Sequence, residues 1–133
     1  MTSETAPVFE PEYPHDGESY TPEGAEDFEH VAEMFGSDWE WDWIDFWYSP
    51  SKRRYFWYEQ SGCSCYSPFT SANVTLGDFG DGSYADAMKV ILDWESNFWD
   101  TPQESQRNKA ISALQRHHAT QRRKAAPSYE PSR

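Results

Sequence analysis

The sequence predicts an α+β fold. The expected architecture is a small antiparallel aromatic β-hairpin or three-stranded sheet packed with helices, behind a disordered acidic N-terminal tail. Three observations carry this. Aromatic residues make up 17% of the chain, and ten of the twenty residues from 39 to 58 are aromatic. Those aromatics fall into two β-rich runs separated by a turn signal, Ser49-Pro50-Ser51-Lys52. Two segments after Gly82 then open with helix-start residues.

Taken in order, residues 1–24 read as tail. They carry Pro7, Pro11, Pro14 and Pro22 among Glu, Ser, Thr and Gly, without periodicity. From Ala25 to Phe35 the apolar residues Phe28, Val31, Ala32 and Phe35 recur at i, i+3, i+4 and i+7, and Gly36 follows. That spacing predicts a short amphipathic helix with a glycine stop. Trp39, Trp41 and Trp43 alternate with Glu40 and Asp42, which is the period of a half-buried strand. The phase shifts at Ile44, Phe46 and Tyr48, so the strand has either a bulge near Trp43–Ile44 or two covered faces. Tyr55 to Tyr58 is the second run, and the two pair as a hairpin.

A short third strand is expected at Ala72 to Leu76, followed by a loop punctuated by Gly77, Gly80 and Gly82. Ser83 with Asp86 resembles a capping box and opens a helix through about Ser96. Its apolar positions are Tyr84, Ala87, Met88, Ile91, Leu92 and Trp94. Thr101-Pro102-Gln103-Glu104 opens another helix that runs to about Lys124. Its apolar stripe is thin (Ala110, Ile111, Ala113, Leu114 and His118), which predicts a helix docked by one side or exposed, not a buried one. The domain reading is therefore a tail over 1–24, an aromatic α+β domain over 25–100, a basic helix over 101–124 and a second tail over 125–133.

Charge sharpens this division. The net charge of the 133-residue chain is -12. Residues 1–50 hold 14 acidic side chains and no Lys or Arg, whereas residues 101–133 hold 2 acidic and 7 basic ones. Leu, Ile, Val and Phe together supply 18 of the 133 residues. That share lies below the roughly 20% which, with high net charge, signals disorder. The abundance of Trp and Tyr argues for a core built from aromatics instead. No apolar run approaches the roughly 18 residues of a membrane span, and no secretory h-region is present, so a cytosolic setting is expected.

After the hairpin comes Ser61-Gly62-Cys63-Ser64-Cys65-Tyr66-Ser67-Pro68-Phe69. This stretch is similar to a pattern in small actinobacterial-phage proteins of unknown function. In them an aromatic strand leads into Asp-Ser-Gly-Cys-Ser-Cys-Pro-x-Pro-Phe. The resemblance covers residues 38–76. It departs at Gln60, where the family usually has Asp, and at Tyr66, where it usually has Pro. It implies a phage-encoded protein in the cytoplasm of a bacterial host and supplies no reaction.

The candidate functional residues follow from these patterns. Cys63 and Cys65 are two thiols only, short of the tetrahedral set of structural zinc, and no His stands at ligand spacing to them. A structural turn of Gly62, Cys63, Cys65 and Pro68 is the favoured reading, ahead of metal or redox roles. On the aromatic strand Asp38, Glu40 and Asp42 would line up about 6–7 Å apart. Such a row is a solvated face, a mimic of nucleic-acid phosphates that fits a basic partner site, or, least favoured, a divalent-metal or acid–base pair. Trp and Tyr in excess of what a small sheet hides favour interface anchors. The expected partner-binding set is Trp39, Glu40, Trp41, Asp42, Asp45, Trp47 and Trp99.

No phosphate-binding loop, dinucleotide turn, zinc-protease motif or nucleophile elbow occurs. The expected function is thus non-enzymatic, with no catalytic residue, metal or cofactor. The chain is read as an accessory protein binding a host or phage protein through an acidic, Trp-rich surface. The alternative is a virion component self-associating through acidic head and basic tail. Nucleic-acid contact through the basic C-terminal helix is the weaker reading, because the whole-chain charge opposes it.

Overall fold

The computed structural model describes residues 7–10, 19–37, 40–63, 74–94 and 103–125. Its elements are strands β1 (Glu29–Ser37), β2 (Glu40–Ser49), β3 (Arg54–Cys63) and β4 (Gly80–Gly82), then helices α1 (Tyr84–Asp93) and α2 (Gln103–Ala125). The strands form one antiparallel sheet in the order β1-β2-β3-β4. The α+β class expected from sequence is the observed one.

The hairpin of β2 and β3 is regular from Glu40↔Cys63 at its open end to Ser49↔Arg54 at its turn. β2 has no bulge against β3. The phase shift in its sequence arises because both faces are covered. Ile44 and Phe46 lie at 2% and 0% exposure on one side, and Trp47 at 4% on the other. On the first face Ala32, Met34, Ile44, Phe46 and Tyr55 pack with Ala87 and Ile91 of α1 and Ala110 and Leu114 of α2. On the second face Phe28, Trp47 and Phe56 pack with Phe9, Ala25, Val74 and Phe79. The second layer is almost wholly aromatic. Phe9 sits 5.3 Å from Tyr20, 5.5 Å from Tyr58 and 5.9 Å from Phe79, ring centre to ring centre. Each such pair adds about 0.5–1.5 kcal/mol beyond its buried area.

Three expectations are corrected. The helix predicted from Ala25 to Phe35 is instead a turn followed by β1. Its apolar residues divide between layers: Phe28 joins the Phe9 layer and Ala32 the helix layer. Met34, off the predicted helical stripe, is fully buried. Pairing with a long aromatic neighbour and burial on both faces outweighs a local 3.6-residue pattern. The third strand expected at Ala72–Leu76 is not found in its described part, residues 74–76. Residues 71–73 lie outside the described residues, Leu76–Asp78 is a 3-10 turn, and the strand completing the sheet is Gly80–Gly82. The described parts of 1–24 are packed, not tail-like: Phe9 pairs with Tyr20 as an antiparallel bridge and is 1% exposed.

Both helices hold closely to expectation. Ser83 caps α1, its hydroxyl accepting from the Asp86 N–H while Asp86 accepts from the Ser83 N–H. α1 buries Ala87 and Ile91, whereas Leu92 is exposed. α2 docks by one side through Ala110 and Leu114, one of the two arrangements its thin stripe allows. It also closes α1: the Arg107 guanidinium donates to the Ile91 carbonyl at 3.1 Å and to the Trp94 carbonyl. Those are carbonyls the helix end leaves without an intrahelical partner. α2 therefore belongs to the same core as the sheet.

The β2–β3 turn is tied to the segment before β1. Asp27 accepts from the Ser49 hydroxyl at 2.9 Å and the Ser51 N–H at 2.8 Å. Lys52 Nζ donates to the Gly24 carbonyl at 2.7 Å. Arg53 takes the left-handed conformation at φ 58°, and its N–H closes the turn on the Ser49 carbonyl at 2.7 Å.

Candidate functional site

Of the residues expected to bind a partner, the three with described side chains do not form one exposed surface. Trp39 and Trp99, with Cys65 and Pro68 of the expected turn, lie outside the described residues. Glu40 and Trp41 open β2, opposite Cys63 and Gly62 at the end of β3. Asp42, Asp45 and Trp47 are buried, at 7%, 3% and 4% exposure. Where its acids are described, at Asp42 and Asp45, β2 buries them rather than presenting them to solvent. Asp42 and Asp45 are also of opposite strand parity, so they belong to opposite faces.

A different constellation forms at the sheet edge. Among the described residues β1 pairs only with β2, and its register shifts between His30 and Ala32, so that His30 opposes Trp47 while Ala32 opposes Phe46. The extra residue is Val31. Residues three apart on a regular strand point to opposite faces. The bulge at Val31 cancels that parity and puts His30 and Glu33 on one face. Glu33 is the ladder partner of Asp45. The His30 Nε2 lies 2.7 Å from Asp45 Oδ1 and 3.7 Å from Glu33 Oε1. The ligand-capable atoms of all three residues lie within 4.8 Å of one another. The side chains of His30 and Glu33 are about half exposed (47% and 45%), whereas that of Asp45 is 4% exposed. Asp45 Oδ2 is buried without a hydrogen-bond partner among the described residues. The edge of the Trp47 indole meets the His30 ring at 6.0 Å between centres.

Electrostatics couple the three. Burial alone would lower the His30 pKa, but the hydrogen bond and charge of Asp45, with the charge of Glu33, hold it above its ordinary value. Glu33 is also raised, by burial and by the neighbouring Asp45 carboxylate, against weaker lowering by His30 and Lys109. The site therefore favours positive charge.

Beside this cluster runs a groove of about 610 Å³ between the outer edge of β1 and α2. Consecutive β1 residues from His30 to Glu33 line one wall; Lys109, Ser112 and Arg116 belong to the other. Lys109 and Arg116 are exposed and stand two helical turns apart. On the sheet side, the outer edge of β1 carries no partner strand among the described residues.

Sequence reasoning singled out Asp45 and missed His30 and Glu33. A predicted helix would have placed those two on one face by i,i+3 spacing, with Asp45 elsewhere. No local pattern announces the bulge.

A family profile, described as a domain of unknown function (DUF7574), matches residues 18–122. The chain belongs to that family. No curated protein and no solved structure matches. The DUF7574 match spans the whole sheet, α1 and nearly all of α2, so the groove and the His30 cluster lie inside the family domain. Phe9 lies before it. No helix among the described residues of this DUF7574 chain is long and apolar enough to cross a membrane.

Proposed function

We propose that this DUF7574 protein is a non-enzymatic accessory protein that binds another protein by strand addition. An extended, acidic segment of the partner pairs with the outer edge of β1, and its carboxylates reach Lys109 and Arg116. The observation that carries the reading is the groove itself, which runs along an open strand edge and is walled by a helix bearing two exposed cations. Main-chain hydrogen bonds from a sheet edge supply affinity in this mode, and flanking side chains supply selectivity. The partner surface is thus moved from the face of β2, whose Asp42, Asp45 and Trp47 are buried, to the edge of β1. The likeness of the Gly62–Phe69 stretch to small actinobacterial-phage proteins supports a phage setting, with action in the host cytoplasm on a host or phage partner.

Selection of peptides from a random display library on the full chain tests this. The expected consensus is extended and acidic. Bound peptide should shift the amide resonances of residues 29–37, and the double charge reversal K109E/R116E should weaken it tenfold or more, with steep salt dependence. Peptides that bind without perturbing β1, or that tolerate the reversal, would refute it.

The exposed Arg122, Arg123 and Lys124 in the last turn of α2, with 14 acidic residues in the first fifty, favour one rival. In that reading basic tail and acidic head join successive copies in a virion assembly. Light scattering decides: a monomer at both low and high salt removes it.

A further inference from the structure

We propose that His30, Glu33 and Asp45 form a binding site for a first-row divalent cation of the Zn²⁺ type. The proposal stands independently of peptide binding in the groove.

The first ground is Asp45. An ionised carboxylate accepts hydrogen bonds at both oxygens. This one is taken almost wholly out of water: Oδ1 meets the His30 ring at 2.7 Å, Oδ2 meets no donor group among the described residues, and its remaining hydrogen-bond contact is with the Glu33 carboxyl, itself only an acceptor when ionised. Buried polar atoms are rarely left so, and an unfilled acceptor in a cluster of ligand-type groups points to an unbound ion. The second ground is the ladder. Glu33 and Asp45 are direct cross-strand partners, and like charges placed so repel. A cation between them turns that repulsion into attraction. Lys109, across the groove on α2, offsets the charge of Glu33 only weakly.

The donor set selects the ion class. Mg²⁺ and Ca²⁺ take oxygen ligands, whereas an imidazole nitrogen with two carboxylates suits Zn²⁺ and its first-row neighbours. Bonds of about 2.0–2.1 Å in a tetrahedral site put neighbouring ligand atoms about 3.3 Å apart. The separations from His30 Nε2 are 2.7 Å to Asp45 and 3.7 Å to Glu33, which bracket that value. The half-exposed His30 and Glu33 can adjust by the required few tenths of an ångström, while the packed Asp45 stays fixed. Three protein ligands leave an open coordination position for a water or an incoming carboxylate.

Titration calorimetry of the untagged full chain with ZnCl₂ tests the site, with a thermal melt run in parallel. One equivalent should bind, and binding should raise the melting temperature. H30Q and E33Q, both at half-exposed positions, should each weaken binding tenfold or more while circular dichroism stays unchanged. The double variant should lose the thermal shift, and replacing Cys63 and Cys65 by Ser should leave affinity as it was. Mg²⁺ should not compete. The proposal is overturned if one-to-one binding is absent, if it survives in H30Q/E33Q, or if the cysteine replacements alone abolish it.

Discussion

The Tyr55 hydroxyl lies 2.9 Å from His117 Nδ1, joining β3 to α2 across 62 residues of sequence. On its other side His117 Nε2 meets Glu29 Oε1 at 3.3 Å. Glu29 can only accept, so Nε2–H donating to its carboxylate with Nδ1 accepting from the Tyr55 O–H satisfies these two contacts, while the Gln121 side-chain amide also lies 3.4 Å from Nε2. Burial pushes the Tyr55 pKa well up, keeping the hydroxyl protonated as that assignment requires. Tyr55→Phe and His117→Ala should each destabilise the fold by about 1–2 kcal/mol. A double-mutant cycle in urea should show coupling, because either change leaves the same hydrogen bond unmade. Strict additivity would mean the contact contributes nothing.

Phe9 provides a test of the N-terminal segment. Its ring is 1% exposed and faces Tyr20, Trp47, Tyr58 and Phe79. Truncating a buried Phe costs about 3–5 kcal/mol. Phe9→Ala, or deletion of residues 1–10, should therefore lower the urea midpoint clearly. An unstructured tail would give no change.

Gly80 faces Trp57 across the β3–β4 ladder. A Cβ at this position would lie 2.0 Å from Trp57 Nε1, inside the indole itself. Gly80→Ala must displace either the ring or the edge strand, at a cost of about 1–3 kcal/mol or more. Indole fluorescence should shift with the loss of stability, since the same contact controls both.

Two groups link stability to pH in separate windows. The His118 ring stacks on Tyr84 at 3.9 Å with planes 7° apart. Burial, then the Arg122 charge and the neighbouring His117, hold its pKa below the ordinary 6.5. The unfolded chain then binds the proton more readily than the folded one. The contribution of neutral His118 is fully present above pH 6.5 and is lost as pH falls through its folded pKa. Burial opposes ionisation of Asp27, but the hydrogen bonds of Ser51 and Ser49 and the charge of Lys52 lower its pKa from 3.8. Its contribution is present above 3.8 and disappears at lower pH. Subtracting the stability–pH curve of His118→Gln from wild type should isolate the first window, and that of Asp27→Asn the second. A flat difference in either window would refute the corresponding assignment.

Much of the fold was legible because its signals are local. The β2–β3 hairpin follows from aromatic runs on either side of Ser49–Lys52. The start of α1 follows from Ser83 and Asp86, three residues apart. The extent of α2 follows from Thr101 to Glu104, and its sparse apolar stripe left docking by one side or exposure open. β1 was not legible, because Phe28, Val31, Ala32 and Phe35 satisfy a helical period as well as they satisfy two strand faces around a bulge. β4 was hidden for a related reason: Gly80, Asp81 and Gly82 carry no strand signal, and only the approach of Trp57 explains the glycine at 80.

The candidate site divides the same way. Asp45 stood out as an acid among aromatics, and the sequence suggested solvent or a partner beside it. Its neighbours turned out to be His30 and Glu33, brought there by one inserted residue and the β1–β2 register.

Composition by itself determined that this chain needs an aromatic core, that its charge is segregated end to end, and that a hairpin lies at its centre. These are properties of residue type and near-neighbour spacing. Tertiary structure alone decided that both sheet faces are covered, that Phe9 belongs to the core, and that Asp42 and Asp45 of β2 are buried. Those outcomes depend on register and on contacts across tens of residues. A single-residue bulge reverses which face a side chain occupies, and no local pattern records it.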